Sequence, residues 1–149
     1  MKPILILIIT TVLGLFLAAC DNDKQAANKG SKKVEGRWYT TAQLLRGKQL
    51  FKNNCAVCHG DKGQSLVDDW RKPLADGSYP APPLNGTAHT WHHSMEVLLR
   101  TVNNGGVPLG GTMPAFNDTL SQDEKEAVLA YVMSFWSDDI YADWKKRNP

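Results

Sequence analysis

The residues with the most evident chemistry lie in the segment Cys55-Ala56-Val57-Cys58-His59. Two thiols three positions apart, followed directly by a histidine, form the C-x-x-C-H pattern of covalent c-type haem attachment. Each thiol adds across one vinyl group of the porphyrin, and the short turn keeps both sulfurs at the same porphyrin edge. The imidazole of His59 is then carried under the iron as its proximal ligand. The spacing therefore predicts one covalently bound haem c, attached through Cys55 and Cys58.

Three other interpretations of this segment have to be weighed. A C-x-x-C pair alone is typical of a redox dithiol, but the adjoining histidine and the lack of an alternating strand–helix pattern disfavour it. A zinc site needs more ligands, whereas the third cysteine, Cys20, lies far away and no second C-x-x-C exists. A chance occurrence is the third alternative. Haem attachment is the interpretation that uses every residue of the motif.

The amino-terminal segment, residues 1–19, is typical of an export signal. Lys2 supplies a positive charge, residues 4–17 form an uncharged apolar run, and Ala18-Ala19-Cys20 follows. Small residues alone are typical of any signal cleavage site. A cysteine at the cut resembles a bacterial lipobox, which implies a lipid on Cys20 and a membrane anchor through that lipid. The alternatives are a free or intermolecularly paired Cys20 thiol.

The expected location of the remaining chain is the same whether a lipid on Cys20 or an uncleaved helix anchors it. Residues 3–19 are uncharged and have the minimum length of a spanning helix, so an uncleaved membrane anchor is the alternative to the lipid. Both place the globular part outside the cytoplasm and next to a membrane. Asp21 resembles the residue that retains lipoproteins in the inner membrane, which implies the periplasmic side of the bacterial inner membrane.

Residues 20–36 are predicted to be the lipidated cysteine and a flexible linker. The segment is polar, with Val34 as its one large aliphatic residue, and therefore cannot bury an apolar face. Residues 37–149 are predicted to form a single domain. The whole chain carries 17 basic and 15 acidic side chains without a basic array, so nucleic acid is not an expected partner.

Three segments of the domain have the spacing of amphipathic helices, namely residues 40–53, 94–104 and 121–136. The last is the clearest, because Ser121 and Glu124 form a predicted capping box. Its apolar stripe consists of Val128, Tyr131, Val132 and Phe135. No strand pattern persists, so the fold is predicted to be mainly α.

This order of elements resembles class I cytochrome c between about residues 40 and 136. The resemblance implies the class I cytochrome c fold, with helices packed around one covalent haem c. It also implies that the first and last helices of the family cross, with Gly47 and Phe51 facing Tyr131. Pro82-Pro83-Leu84-Asn85-Gly86 resembles the turn beside the proximal histidine. By that resemblance the Pro82 carbonyl accepts the His59 Nδ1 proton, with Pro83 as the other candidate.

Thr112-Met113-Pro114-Ala115-Phe116 resembles the loop of the family that bears the sixth iron ligand, which implies Met113 as that ligand. A physical argument agrees, because a soft thioether in a glycine-rich loop can approach the iron. The competing methionines fit less well. Met95 begins the middle helix and is expected to pack, and Met133 is expected to fall off the apolar stripe of the last helix.

Three features depart from the family pattern: the long loop at residues 61–81, the histidine cluster and the tail after residue 136. The loop contains Trp70 and Tyr79, which either cover a haem edge or anchor the loop. His89, His92 and His93 are compatible with a copper site, replacement of the methionine on iron, a propionate contact or ordinary surface positions.

Iron with both axial positions filled, by His59 and Met113, has no open site for a substrate. The expected function is therefore a non-enzymatic shuttle of single electrons between membrane-associated redox proteins, with no small-molecule substrate. One alternative is a haem subunit or accessory protein of a larger oxidase or dehydrogenase. The other is a haem protein with a labile sixth ligand that binds peroxide or a gas.

Overall fold

The computed structural model describes residues 32–149, and the chain in this range is mainly α, as predicted. Two 3₁₀ turns, Thr90–His92 and Val107–Leu109, and two isolated β-bridges complete the regular structure of these residues. The helices are α1 (Thr41–Asn54), α2 (Ala56–His59), α3 (Met95–Asn104), α4 (Gln122–Met133) and α5 (Asp138–Arg147). The predicted signal segment, Cys20 and most of the predicted linker lie outside the described residues. No helix within residues 32–149 is long and apolar enough to cross a membrane.

Helices α1, α3 and α4 lie where the apolar spacing predicts them, with boundaries that differ by at most three residues. Their starts are set by side-chain caps, because the first backbone N–H groups of a helix have no partner within it. Thr40 and Gln43 form a capping box on α1, and Ser121 and Glu124 form the predicted capping box on α4. Ser94 accepts a hydrogen bond from the Val97 N–H at the start of α3.

Helices α1 and α4 form the central contact of the domain, and Gly47 is what lets them approach. A Cβ atom at Gly47 would lie 1.8 Å from the backbone oxygen of Ala127 and 3.0 Å from the Tyr131 Cβ. One turn further on, the Phe51 and Tyr131 rings meet edge to face with centroids 5.4 Å apart. This is the pairing of Gly47 and Phe51 with Tyr131 that the class I resemblance implies.

The prediction that Met133 falls off the apolar face of α4 is wrong. Met133 is fully buried, and its sulfur accepts a hydrogen bond from the Trp38 indole at 3.1 Å. The predicted stripe is too narrow because α4 is covered on several sides. Helix α1 lies on one side, Trp136 belongs to the same buried cluster as Met133, and the partly buried Trp38 packs against that cluster. A helix surrounded in this way buries most of its circumference.

Helix α5 lies in the tail for which no element was predicted. Ser137 caps it, and its Tyr141 and Trp144 side chains are buried. The Trp144 indole donates to the His93 carbonyl at 2.8 Å, and the Tyr141 hydroxyl accepts the Trp38 N–H at 2.9 Å. The helix therefore holds the histidine segment and the start of the domain against the core.

The described part of the predicted linker, residues 32–36, is folded against the start of α1. The Val34 N–H donates to the Tyr39 carbonyl, and the Lys32 carbonyl accepts the Thr41 N–H, both at 3.0 Å. Val34 is half-buried and packs on the core cluster.

Candidate cofactor site

A cavity of about 700 Å³ lies between α1, α3, α4 and the loops that connect them. Its size is within the range of ligand and cofactor sites. The structure brings five of the six predicted site residues to this one cavity, whereas Cys20 lies outside the described residues. The residues that line it include Cys55, Cys58, His59, Pro82 and Met113.

Much of the remaining lining is apolar, and the apolar side chains that the three helices contribute include Phe51, Leu98, Val102, Val128 and Val132. A large planar apolar group would therefore be stabilised by burial along most of its surface. A porphyrin is such a group, and the two thiols, the imidazole and the thioether are the donor set that c-type haem requires. The residues present thus fit a covalently attached haem.

The two thiols are placed by the junction of α1 and α2. The Cys55 N–H donates to the Phe51 carbonyl of α1 at 2.8 Å, and the Cys55 carbonyl accepts the His59 N–H at 2.9 Å. A single turn of helix therefore carries the motif. Both cysteines are unpaired thiols, Cys55 half-buried and Cys58 exposed. Burial, together with the neighbouring Cys58, raises the pKa of Cys55 to about 11.

His59 is 7% exposed, and its Nδ1 lies 2.9 Å from the Pro82 carbonyl oxygen. Burial lowers the pKa of His59, and the Pro82 bond partly opposes that shift. A neutral imidazole that donates from Nδ1 keeps its lone pair on Nε2, the nitrogen available to a metal. The other candidate, Pro83, accepts a hydrogen bond from Thr90 at 3.3 Å instead.

Met113 is held in a loop that folds back on the end of α3. The Gly106 N–H donates to the Met113 carbonyl at 2.9 Å. A Cβ at Gly105 would lie 2.5 Å from the same oxygen, so this close approach requires glycine. Of the methionines among residues 32–149, Met113 alone lines the cavity, whereas Met95 packs half-buried against the core.

The histidine cluster contributes two of its three members to the cavity, His89 and His93. The His89 ring lies between Trp70, at 5.2 Å, and His93, at 5.4 Å between centroids. Burial, followed by the charges of His93, His92 and Arg71, lowers the pKa of His89. Within the described residues no three His, Cys, Asp or Glu side chains are arranged to hold a metal ion.

The long loop at residues 61–81 forms part of the cavity wall, where Trp70 and Tyr79 both line it. The Tyr79 N–H donates to the Gly110 carbonyl at 2.8 Å, and Tyr79 pairs with Gly111 in a parallel bridge. The loop therefore contacts the segment that carries Met113. Ser65 of the same loop is buried and donates its hydroxyl to the Ala81 carbonyl at 2.8 Å. Nothing in its type or spacing distinguishes it in the sequence from other loop serines.

Comparison with known proteins gives a consistent result. Residues 42–132 match the family model described as cytochrome c oxidase, cbb3-type, subunit III. The chain is 36% identical over 101 residues to a cytochrome c6 of Tetradesmus obliquus, covering 66% of this chain and 98% of that protein. It is 30% identical over 99 residues to the cbb3-type cytochrome c oxidase subunit CcoP of an Azospirillum species, covering 66% of this chain and 31% of that protein. No solved structure gives a significant match.

The fold, the cavity and these matches define a class I c-type cytochrome, an electron carrier with covalently bound haem c. Within that class, the chain belongs to the family of cytochrome c oxidase, cbb3-type, subunit III.

Proposed function

We propose that this protein is a single-haem shuttle that carries one electron at a time between redox proteins at the outer side of the bacterial inner membrane. The observation that supports this most directly is that Cys55, Cys58, His59 and Met113 all line one cavity. Haem bound there supplies a one-electron change between ferric and ferrous iron.

Each of these side chains has a distinct role in the proposal. Cys55 and Cys58 form the two thioethers, and His59 offers Nε2 because Pro82 accepts the hydrogen bond from Nδ1. Met113 would offer its thioether as the second iron ligand, a donor that favours the ferrous state. With His59 and Met113 both bound to iron, haem held here would have no place for a substrate and would be suited to electron transfer alone.

A second candidate function is that of a haem subunit in a larger oxidase. The family model and the CcoP relative favour it. The shuttle is supported by the cytochrome c6 relative, because this chain covers 98% of that protein. Purification after gentle solubilisation separates the two: a monomer that reduces and oxidises freely supports the shuttle, and stoichiometric recovery with oxidase subunits contradicts it.

The proposed location rests on the amino-terminal sequence. In this proposal residues 1–19 are removed, Cys20 carries lipid, and the linker leads into a haem domain that includes residues 32–36 as well as residues 37–149. Cys20→Ala should abolish labelling by a radioactive fatty acid. Equal labelling of the variant and the original protein would contradict the lipid anchor, and an unprocessed amino terminus would favour the uncleaved anchor.

The haem attachment is tested by the double variant Cys55→Ala/Cys58→Ala. The original protein should gain the mass of one haem and retain peroxidase staining on a denaturing gel, and the double variant should lose both. Haem that is fully extracted from the original protein by acidic organic solvent would contradict the proposal.

The sixth ligand is tested by Met113→Ala, with Met95→Ala as the matched control because Met95 packs on the core outside the cavity lining. We expect Met113→Ala to lose the weak red absorption band of methionine-bound ferric iron and to bind carbon monoxide readily. The control should keep the band and bind carbon monoxide poorly. If a substitution at His89 or His93 abolishes the band while Met113→Ala does not, the ligand assignment is wrong.

A further inference from the structure

Ser65 combines two properties that set it apart from the other loop residues. Its φ angle is +72°, and no other non-glycine residue among residues 32–149 has a positive φ. It is buried, with 6% of its surface exposed. A side chain held in this backbone region is strained, and such strain persists only where the surroundings over-determine it.

The surroundings that hold Ser65 belong to the proximal side of the cavity. The Ser65 N–H donates to the His59 carbonyl at 2.8 Å, and its hydroxyl donates to the Ala81 carbonyl, also at 2.8 Å. His59 and Pro82, the residue after Ala81, are the two partners of the Nδ1 hydrogen bond. Ser65 is therefore hydrogen-bonded both to the backbone of His59 and to the residue that precedes Pro82.

The peptide between Ala81 and Pro82 has a particular need for such a bond. Proline has no N–H, so the Ala81 carbonyl is the only hydrogen-bonding group by which this peptide can be fixed. On the other side of Pro82, the Leu84 N–H donates to the Gly63 carbonyl at 2.7 Å. The Pro82 carbonyl is thus flanked by hydrogen bonds to the peptide before it and to the peptide after it.

We propose that Ser65 is a positioning residue for the proximal ligand: its hydroxyl aligns the Pro82 carbonyl with His59 Nδ1 and so adjusts the reduction potential of the haem. This inference rests on the proposed role of His59 as the iron ligand. A carbonyl that accepts the Nδ1 proton makes the imidazole a stronger donor. A stronger donor favours ferric iron, so loss of the alignment should raise the reduction potential.

Two variants separate this role from a purely structural one. Ser65→Ala removes the hydroxyl and keeps the backbone strain, whereas Ser65→Gly removes the hydroxyl and relieves the strain because glycine adopts positive φ freely. We expect both variants to raise the midpoint potential by the same amount in a redox titration. Their thermal unfolding should differ, with Ser65→Gly more stable than Ser65→Ala.

The matched control is Ser134→Ala, which removes a hydroxyl that also donates to a backbone carbonyl, that of Tyr131, on the surface. Its potential should equal that of the original protein. The inference is overturned if both Ser65 variants keep the midpoint potential of the original protein. It is also overturned if the two variants have different potentials and the difference parallels their difference in thermal stability. Covalent haem is measured first in every protein: its absence from the original protein contradicts the proposed function, whereas its presence with an unchanged potential contradicts the role of Ser65 alone. If Ser65→Ala does not fold, Ser65→Gly decides the question.

Discussion

Gly47→Ala adds a single methyl group at the contact between α1 and α4. The new Cβ would lie 1.8 Å from the Ala127 oxygen and 2.6 Å from its carbonyl carbon. Ordinary carbon–oxygen contacts in proteins have separations of about 3.3–3.6 Å. The two helices must therefore move apart by roughly 1.5 Å at this point, because the obstructing atoms belong to the backbone and cannot rotate away.

The expected free energy of unfolding follows from opposing contributions. Overpacking a core typically costs about 1–3 kcal/mol, and contact with backbone atoms favours the upper end. Separation of the helices also weakens the edge-to-face contact of Phe51 and Tyr131, a type of contact worth about 0.5–1.5 kcal/mol. The higher helix propensity of alanine offsets about 1 kcal/mol of this loss in the free energy of unfolding. We expect a net loss of about 2 kcal/mol, which lowers Tm by roughly 8 °C.

The measurement is thermal and denaturant unfolding of the haem-bound protein, followed by circular dichroism. Lys48→Ala is the matched control, because Lys48 is the exposed neighbour of Gly47 on α1 and should change stability by less than about 0.5 kcal/mol. A Gly47→Ala protein as stable as the original would refute the close-approach argument. Lowered stability in both variants to the same extent would refute it as well.

Three further predictions concern other contacts. Ser121→Ala removes the cap of α4 and should cost about 1 kcal/mol in denaturant unfolding; an unchanged midpoint would show that the cap contributes nothing. Trp144→Phe leaves the His93 carbonyl without its indole donor and should cost about 1–3 kcal/mol, whereas equal stability would mean that another donor replaces it. The pKa of His89 is lower in the folded protein than in the unfolded chain, so the unfolded chain binds the His89 proton more readily. Protonation of His89 should therefore reduce the free energy of unfolding as the pH falls below about 6.5. The loss of stability between pH 7 and pH 5 should be smaller for His89→Gln, and an identical loss in both proteins would contradict the shift.

The features that the sequence predicts correctly are those encoded over a few neighbouring residues. The capping box of Ser121 and Glu124 and the apolar spacing in α1 and α4 depend on local geometry, so the pattern alone locates these helices. The family resemblance adds the pairing of Gly47 with Tyr131, which spacing alone does not reveal.

The features that the sequence does not predict depend on contacts between distant segments. Met133 is buried because Trp38, far away along the chain, covers the side of α4 that periodicity marks as exposed. Helix α5 has local signals, since Ser137 caps it and acidic and basic residues lie at opposite ends. The few apolar residues of α5 do not predict that it packs on the core, because their burial depends on distant partners such as His93.

The pairing of α1 with α4 also determines an order of events during export. His59 lies 74 residues ahead of the end of α4, so in a chain exported from its amino terminus there is an interval in which the cysteine motif is outside and α4 is not. During this interval α1 has no partner against which to bury Phe51, and an isolated helix of 14 residues is only marginally formed. The cysteines therefore remain accessible to the attachment chemistry before the core closes, and completion of α4 marks the end of that period.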